Sequence, residues 1–204
     1  MNKKVGFTIF FCCSVFSISA QSELFEDAFH NFAVSRFWDF EPISVNWNMH
    51  GLLQADLNDG LNSLIEGEPA QAEVSFTTVL KQDSSIWQAF YYRAASRKKQ
   101  EKLLQAQNDL QRALKIHDFY EGHIELAKIY YLRRHLSESE RAINKAIRLD
   151  KMKPAAYVIK ANLKMDQREF KTAMTLYQES LAIDSLLHEA RIKLAMLEAF
   201  EKKK

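Results

Sequence analysis

Residues 120–153 read YEGHIELAKIYYLRRHLSESERAINKAIRLDKMK, and residues 154–187 read PAAYVIKANLKMDQREFKTAMTLYQESLAIDSLL. The two stretches align without a gap, so the sequence repeats with a period of 34 residues. Small residues fall on small ones and large apolar residues on large ones: Ala127 on Ala161, Leu136 on Phe170, Ile143 on Tyr177 and Ile147 on Leu181. Similarity at a fixed period of this length predicts a protein built from stacked structural repeats.

Two further copies lie upstream of this pair. Residues 87–119 align one residue short, and residues 53–86 form a more irregular first copy. Within a copy, apolar residues recur at helical spacing on either side of a turn, which we place near Gln167–Arg168 in the last copy. In the first copy Gly67 takes this place, and Gly often ends a helix in the left-handed conformation. Pro69 then suits the first turn of the next helix, where no N–H is needed.

Each copy therefore predicts two short helices that cannot bury their apolar faces alone. Stacked copies can, because small residues at matching positions let the helix backbones approach while large residues fill the gaps beside them. The small residues are Gly60, Ala94, Ala127 and Ala161 in the first helix, and Ala72, Ala106 and Ala173 in the second.

This pattern resembles the tetratricopeptide repeat (TPR) family, most closely over residues 87–187. Leu126, Ala127 and Tyr130 follow the family's L-G/A-x-x-Y core. The sequence departs from the family pattern at several places: Ser139 replaces a repeat alanine, Lys160 and Lys164 replace core residues, and Asp56 and Asp59 interrupt the first copy. The resemblance implies an all-α fold, a right-handed α-solenoid of antiparallel helix pairs with about four TPR-like repeats.

The flanks of the array are predicted to be an N-terminal extension and a C-terminal cap. Residues 188–204 suit a capping helix whose apolar side covers the last repeat and whose charged side faces water. The apolar side consists of Ile192, Leu194, Ala195 and Leu197, and the charged side of Arg191, Lys193, Glu198 and Glu201. Residues 21–52 predict an amphipathic helix followed by an aromatic segment with Phe37, Trp38, Phe40 and Trp47.

The first 20 residues have the layout of a secretory signal peptide. Lys3 and Lys4 precede an apolar run and a small-residue tail that ends at Ala20. We expect cleavage there, an exported protein in the periplasm or secreted space, and no transmembrane segment afterwards. Cleavage removes both cysteines, Cys12 and Cys13, and leaves 26 basic and 26 acidic residues. A neutral chain has no overall field to attract nucleic acid, so we predict no nucleic-acid partner.

No catalytic, cofactor-binding or metal-binding motif is recognisable in the sequence. The six histidines lack the H-E-x-x-H spacing of a helical zinc site, and no phosphate-binding loop or nucleophile elbow occurs. We therefore predict a non-enzymatic protein without cofactors. A basic patch at Arg93, Arg97, Lys98, Lys99 and Lys102 admits two interpretations: a docking site for an acidic ligand, or an exposed helix end.

The TPR resemblance implies a concave groove lined by the first helix of each repeat. It places these residues there: Gln88, Tyr91, Lys98, Glu121, Ile124, Lys128, Tyr131, Val158, Asn162 and Met165. A groove of mixed apolar and polar character suits a bound peptide or helix. Tyr91 with Ala95, and Ile124 with Lys128, do not repeat the Lys and Asn arrangement with which some family members clamp a C-terminal carboxylate.

Three functions follow from these observations. The first is a protein-binding scaffold of the cell envelope or secreted space, with a peptide or helix in the groove. The second is a structural or self-assembling envelope component, a homo-oligomer formed through Phe37, Trp38 and Trp47. The third is an enzyme, or an accessory subunit of an envelope enzyme complex, that uses residues 22–52.

Overall fold

The computed structural model describes residues 52–202, and within them it contains helices and no strands. The predictions for residues 1–51, the signal peptide and the aromatic segment among them, lie outside the described residues. The helices are α1 (Leu52–Glu66), α2 (Pro69–Gln82), α3 (Trp87–Lys99), α4 (Leu103–Ile116), α5 (Tyr120–Leu132), α6 (Leu136–Leu149), α7 (Pro154–Asp166), α8 (Phe170–Ile183) and α9 (His188–Glu201).

The helices form consecutive pairs, α1–α2, α3–α4, α5–α6 and α7–α8, with α9 packed on α8. We call α1, α3, α5 and α7 the first helices and their partners the second helices. Short turns join the members of each pair, which makes them antiparallel neighbours. Each pair then packs on the next, so the array is an α-solenoid of helix pairs. The predicted fold class is confirmed.

One residue in each turn between paired helices has a left-handed backbone. The residues and their φ values are Gly67 at 82°, Glu101 at 60°, Arg134 at 62° and Arg168 at 60°. Only the first of these positions has the glycine that this conformation favours. The turn that the sequence places at Gln167–Arg168 therefore recurs in all four pairs.

The small residues of the repeat mark places where helices come close together. A Cβ atom added to Gly60 would lie 2.7 Å from the Cε1 atom of Phe76 on α2, too close for any larger residue. Ala94, Ala127 and Ala161 are fully buried at the corresponding positions of the later first helices. Ser139 is also fully buried, and its hydroxyl donates a hydrogen bond of 2.8 Å to the carbonyl oxygen of Ala127. The serine therefore serves as the small residue of its repeat without leaving a polar atom unpaired.

Buried apolar side chains form three clusters that follow one another along the chain. The first extends from Leu57 to Ile129, the second from Tyr120 to Leu163, and the third from Val158 to Leu197. Successive clusters draw on the same helices, which joins them into one elongated interior. Among the described residues, no helix is long and apolar enough to cross a membrane.

The capping helix α9 differs from its predicted pattern. Leu197 is buried and Leu194 is partly buried, as expected, but Ile192 is 53% exposed and Ala195 is exposed. Lys193, predicted to face water, is only 1% exposed. The helix is rotated relative to the prediction because the side that carries Ala190, Lys193 and Leu197 packs inward.

Candidate protein-binding face

The first helices are buried on more sides than the second helices. The buried residues of α6 form a single stripe of Ser139, Ala142, Ile143 and Ala146. By contrast, α5 buries ten of its 13 residues, and they point in every direction around the helix axis. Helices α3 and α7 are buried in the same way. A helix enclosed on all sides lies in an interior, whereas an amphipathic helix lies at a surface.

The predicted groove residues lie on these enclosed helices. Tyr91 and Lys98 are on α3, Ile124, Lys128 and Tyr131 on α5, and Val158, Asn162 and Met165 on α7, at intervals that place them on one side of each helix. We call this side of α3, α5 and α7 the first-helix face.

The side chains of the first-helix face are covered rather than open. Tyr91, Ile124, Lys128 and Asn162 have no exposed surface, and Met165, the most accessible of the eight residues above, is 6% exposed. Gln88 and Glu121, the other two predicted residues, are partly exposed near the beginnings of α3 and α5. Glu121 pairs with Lys153, which precedes α7. The face thus has a covered centre and a partly accessible margin.

Three buried charges connect α3 to α5 at the centre of the face. The Glu125 carboxylate accepts a hydrogen bond of 3.0 Å from Lys98 Nζ and one of 2.7 Å from Lys128 Nζ. All three side chains are at most 1% exposed. We call them the lysine cluster. Each buried charge costs several kcal/mol in desolvation, and only attraction to a partner of opposite charge offsets that cost. The Glu125 carboxylate is therefore required to keep the two lysines charged in the interior. It contains two positive charges and one negative charge.

A second polar group connects α7, α8 and α9. The side-chain oxygen of Asn162 accepts hydrogen bonds from the Tyr177 hydroxyl at 2.6 Å and from Lys193 Nζ at 2.8 Å. Lys193 also donates to Glu189 at 2.9 Å. Burial, together with the negative charge of Glu189, raises the pKa of Tyr177 well above its usual value. The tyrosine is therefore a neutral hydrogen-bond donor at any physiological pH.

Tyr131 lies at the end of the face nearest the turn that follows α5. Burial raises the pKa of its hydroxyl, and the nearby Asp166 carboxylate raises it further. Both effects disfavour the phenolate, so Tyr131 contributes an apolar ring and a neutral hydroxyl.

The basic patch fits neither of its two interpretations. Arg93 forms a bidentate pair with Asp109 on α4, with contacts of 2.8 and 2.7 Å. Arg97 bridges Asp109 at 2.7 Å and Glu73 on α2 at 2.9 Å. Lys102 also binds Glu73, at 2.8 Å. These charges tie three helices together, so the patch is mainly a structural ion-pair network. Asp109 and Glu73 were missed because sequence periodicity does not reveal charge partners 12 to 29 residues away.

Within residues 52–202, no group of three or more His, Cys, Asp or Glu side chains is arranged to hold a metal ion. The charged side chains at the centre of the first-helix face pair with one another, whereas Asn162 is bound by Tyr177 and Lys193 from α8 and α9.

Comparison with solved structures identifies the architecture. A tetratricopeptide repeat protein from Parabacteroides merdae superposes with a TM-score of 0.66 at 15% identity, over 74% of this chain and 60% of that one. MamA from Desulfovibrio magneticus gives 0.67 at 10% identity, over 76% and 88%. The fold is that of a tetratricopeptide-repeat solenoid.

A third similar structure is YrrB, described as a TPR protein with an unusual peptide-binding site. It gives a TM-score of 0.59 at 14% identity and covers 88% of this chain and 86% of that one. At these identities the likeness establishes the fold alone. No protein-family model and no curated protein matches the sequence.

Proposed function

We propose that this protein is a non-enzymatic scaffold that binds a peptide or helix of another protein along the first-helix face. The observation that carries the proposal is the mixed set of aromatic, aliphatic and polar side chains on one side of α3, α5 and α7, with a partly accessible margin at Gln88 and Glu121. Buried aromatic anchors with a few charged groups are the usual source of binding energy in protein interfaces. The peptide-binding site named for YrrB supports the same use of this fold.

We also propose that the protein works outside the cytoplasm, in the envelope or the secreted space. Support comes from residues 1–20, whose basic start, apolar run and small-residue end are typical of a cleaved signal peptide. N-terminal sequencing of the protein purified from its own cell tests this. A mature chain that begins at Gln21 supports export, and a chain that retains residues 1–20 counts against cleavage.

Capture of partners by variants of the first-helix face tests the scaffold function. Met165→Lys and Gln88→Arg place a charge at the two ends of the face, and Gln178→Arg places one on the exposed side of α8 as a matched control. We expect the wild type and the control to capture the same specific partner from envelope extract, and both face variants to lose it. An unchanged set of partners in all four proteins, each with an intact helical spectrum, contradicts binding at this face.

The self-assembly alternative rests on Phe37, Trp38 and Trp47, outside the described residues. Sedimentation of the mature chain separates it from the scaffold proposal. A monomer at all concentrations removes the alternative, and a Trp38-dependent oligomer favours it.

A further inference from the structure

The turns between successive helix pairs lie together at one edge of the solenoid. Paired helices are antiparallel, so every second helix ends at this edge and every following first helix begins there. The turns within the pairs lie at the opposite edge. We call residues 115–119 and 145–152, at the ends of α4 and α6 and in the turns that follow them, the inter-pair edge.

Large apolar side chains are exposed at the inter-pair edge. The described residues expose eight such side chains, and three of them belong to this edge: Ile116 is 46% exposed, Leu149 46% and Met152 72%. Leu186, also 72% exposed, has the position of Met152 in the next turn along. Exposed apolar surface with polar residues around it marks a site of interaction.

Four basic side chains surround these apolar residues. Lys115 and Arg148 lie in the last turns of α4 and α6, Lys145 lies one turn earlier in α6, and Lys151 precedes Met152. All four are exposed, and none makes a hydrogen bond or an ion pair within residues 52–202. A basic residue in a last turn complements the helix dipole, which accounts for Lys115 and Arg148 but not for Lys145 and Lys151.

The inter-pair edge contains two acidic residues, and both are engaged. Asp118 pairs with His123 at 2.5 Å, and Asp150 accepts a hydrogen bond of 2.9 Å from the backbone N–H of Met152. Burial lowers the pKa of His123; Asp118 opposes this effect, and the charges of Lys145 and Arg148 reinforce it. These two basic residues therefore lie close to the turn before α5, and the edge has a surplus of positive charge.

The combination of a basic and an exposed apolar residue is specific to the two central pairs. Lys115 and Ile116 at the end of α4 align with Arg148 and Leu149 at the end of α6. The matching residues of the outer second helices are Lys81 and Gln82 in α2, and Ala182 and Ile183 in α8. The first of these helices lacks the apolar residue and the second lacks the basic one, so the edge is a local feature.

A basic surface with projecting apolar side chains has the chemistry of a contact with a membrane surface. Each Lys or Arg near an anionic bilayer strengthens binding, and apolar side chains at the boundary of headgroups and acyl chains add buried area. A peptide is held by a groove that encloses its side chains, whereas Ile116, Leu149 and Met152 project from helix ends and a turn. The observations therefore favour an anionic bilayer over an acidic peptide.

We propose that the inter-pair edge rests on an anionic phospholipid bilayer, with Leu149 and Met152 at the level of the headgroups and the basic side chains beside lipid phosphates. The protein then lies on a membrane surface without crossing it. This contact does not depend on the scaffold function. A protein that binds the bilayer but captures no partner loses the scaffold function only, and the reverse result removes this inference only.

Vesicle flotation tests the contact, with protein purified from its own cell so that any processing has already taken place. One set of vesicles contains phosphatidylcholine alone, and the other contains equal parts of phosphatidylcholine and phosphatidylglycerol. We expect the protein to float with the anionic vesicles only, and less of it to float at high salt, which screens surface charge. Failure to float, or equal binding to both kinds of vesicle, overturns the proposal.

Two double variants locate the contact on the molecule. Lys145→Gln with Arg148→Gln removes two charges from the edge and should weaken binding to anionic vesicles roughly 10- to 30-fold. Leu149→Ser with Met152→Ser keeps the charges and should weaken binding severalfold. If both variants keep a native helical spectrum and float like the wild type, the contact lies elsewhere and the proposal is wrong.

The matched control removes the same charge from the opposite edge. Lys171 lies near the start of α8 and Lys202 follows the end of α9, and both side chains are exposed. Lys171→Gln with Lys202→Gln should bind anionic vesicles like the wild type. A loss equal to that of the edge variants shows attraction by net charge alone and overturns the proposal.

Hydroxyl-radical footprinting gives a second readout in the unmodified protein. Anionic vesicles should lower the oxidation of Met152 severalfold and leave that of Ile65, 83% exposed at the opposite edge, unchanged. Unchanged oxidation of Met152 in vesicle-bound protein overturns the proposal. Protection of Met152 that requires an added envelope protein assigns the edge to a protein partner and overturns it as well.

Discussion

At the scale of single residues, three of the four turns between paired helices place a residue other than glycine in the left-handed backbone region, which costs free energy. Gly67 adopts φ of 82° without penalty, whereas Glu101, Arg134 and Arg168 adopt φ near 60° with a Cβ atom present. Such a residue costs roughly 1–2 kcal/mol relative to its preferred backbone regions. The sequence gives the position of these turns but only Gly67 reveals their geometry, because polar residues occur in many kinds of turn.

We therefore predict that Glu101→Gly stabilises the protein by about 0.5–1 kcal/mol. Removal of the Cβ atom relieves the strain of the left-handed backbone in the folded state. This gain exceeds the entropic stabilisation that glycine gives to the unfolded chain. Urea denaturation followed by circular dichroism measures it. The matched control is Gln105→Gly, at an exposed position inside α4. This variant should lower the free energy of unfolding by about 1 kcal/mol. A loss in both variants contradicts the assignment of strain to Glu101.

The lysine cluster leads to a second prediction at this scale. Glu125→Gln removes the charge between Lys98 and Lys128 with almost no change in shape. Breaking a buried ion pair costs about 3–5 kcal/mol, because uncompensated charge remains inside. As a control, Glu138→Gln removes the partner of Arg141, a largely exposed pair with a contact of 3.7 Å, and should cost less than about 0.5 kcal/mol. Similar losses in the two variants contradict the burial of the cluster.

At the scale of helices, the periodic pattern predicts which stripe of a second helix is buried but fails for α9. In α6 the buried residues have the spacing that the sequence gives, with Ser139 in place of alanine. In α9 the sequence pattern places Lys193 on the solvent-facing side, because the pattern does not reveal whether a charged residue has a buried partner elsewhere in the chain. Its partners are Asn162, 31 residues earlier, and Glu189 on its own helix.

The ion pairs that Glu73 makes with Arg97 and Lys102 should make the free energy of unfolding depend on pH in the acid range. Burial alone raises the pKa of Glu73, but hydrogen bonds from Lys102, Arg97 and Gln100 outweigh it and lower the pKa from 4.5 to about 2. A folded-state pKa below the unfolded value gives stability that is present above pH 4.5 and is lost between pH 4.5 and 2. We predict that Glu73→Gln flattens the decline in unfolding free energy over this interval. An equally steep decline in both proteins contradicts the network.

At the scale of the whole molecule, stability is distributed along the stack instead of residing in one centre. Each pair contacts its neighbours, and the three apolar clusters follow the chain in order. The repeat spacing in the sequence predicts this architecture well, because stacked pairs need only local periodicity and small residues in register. It does not predict how deeply the first helices are buried, since the repeat spacing gives the small residues of each first helix but not the burial of polar residues such as Lys128 and Asn162.

A local change should therefore have a local effect. Phe76→Ala opens a cavity between α1 and α2 and should cost about 3–5 kcal/mol in that part of the stack. We predict faster amide hydrogen exchange in α1 and α2, with little change in α7 and α8, as expected for a chain of nearest-neighbour interactions. Equal acceleration in all helices indicates a single cooperative unit instead.

The stacking of neighbour on neighbour also determines how the molecule bears mechanical load. Because extensive contacts join adjacent helices and few bridge distant ones, tension applied at its two ends passes through every seam in series. We therefore expect the load to be shared among the contacts between successive pairs and not to fall on a single one.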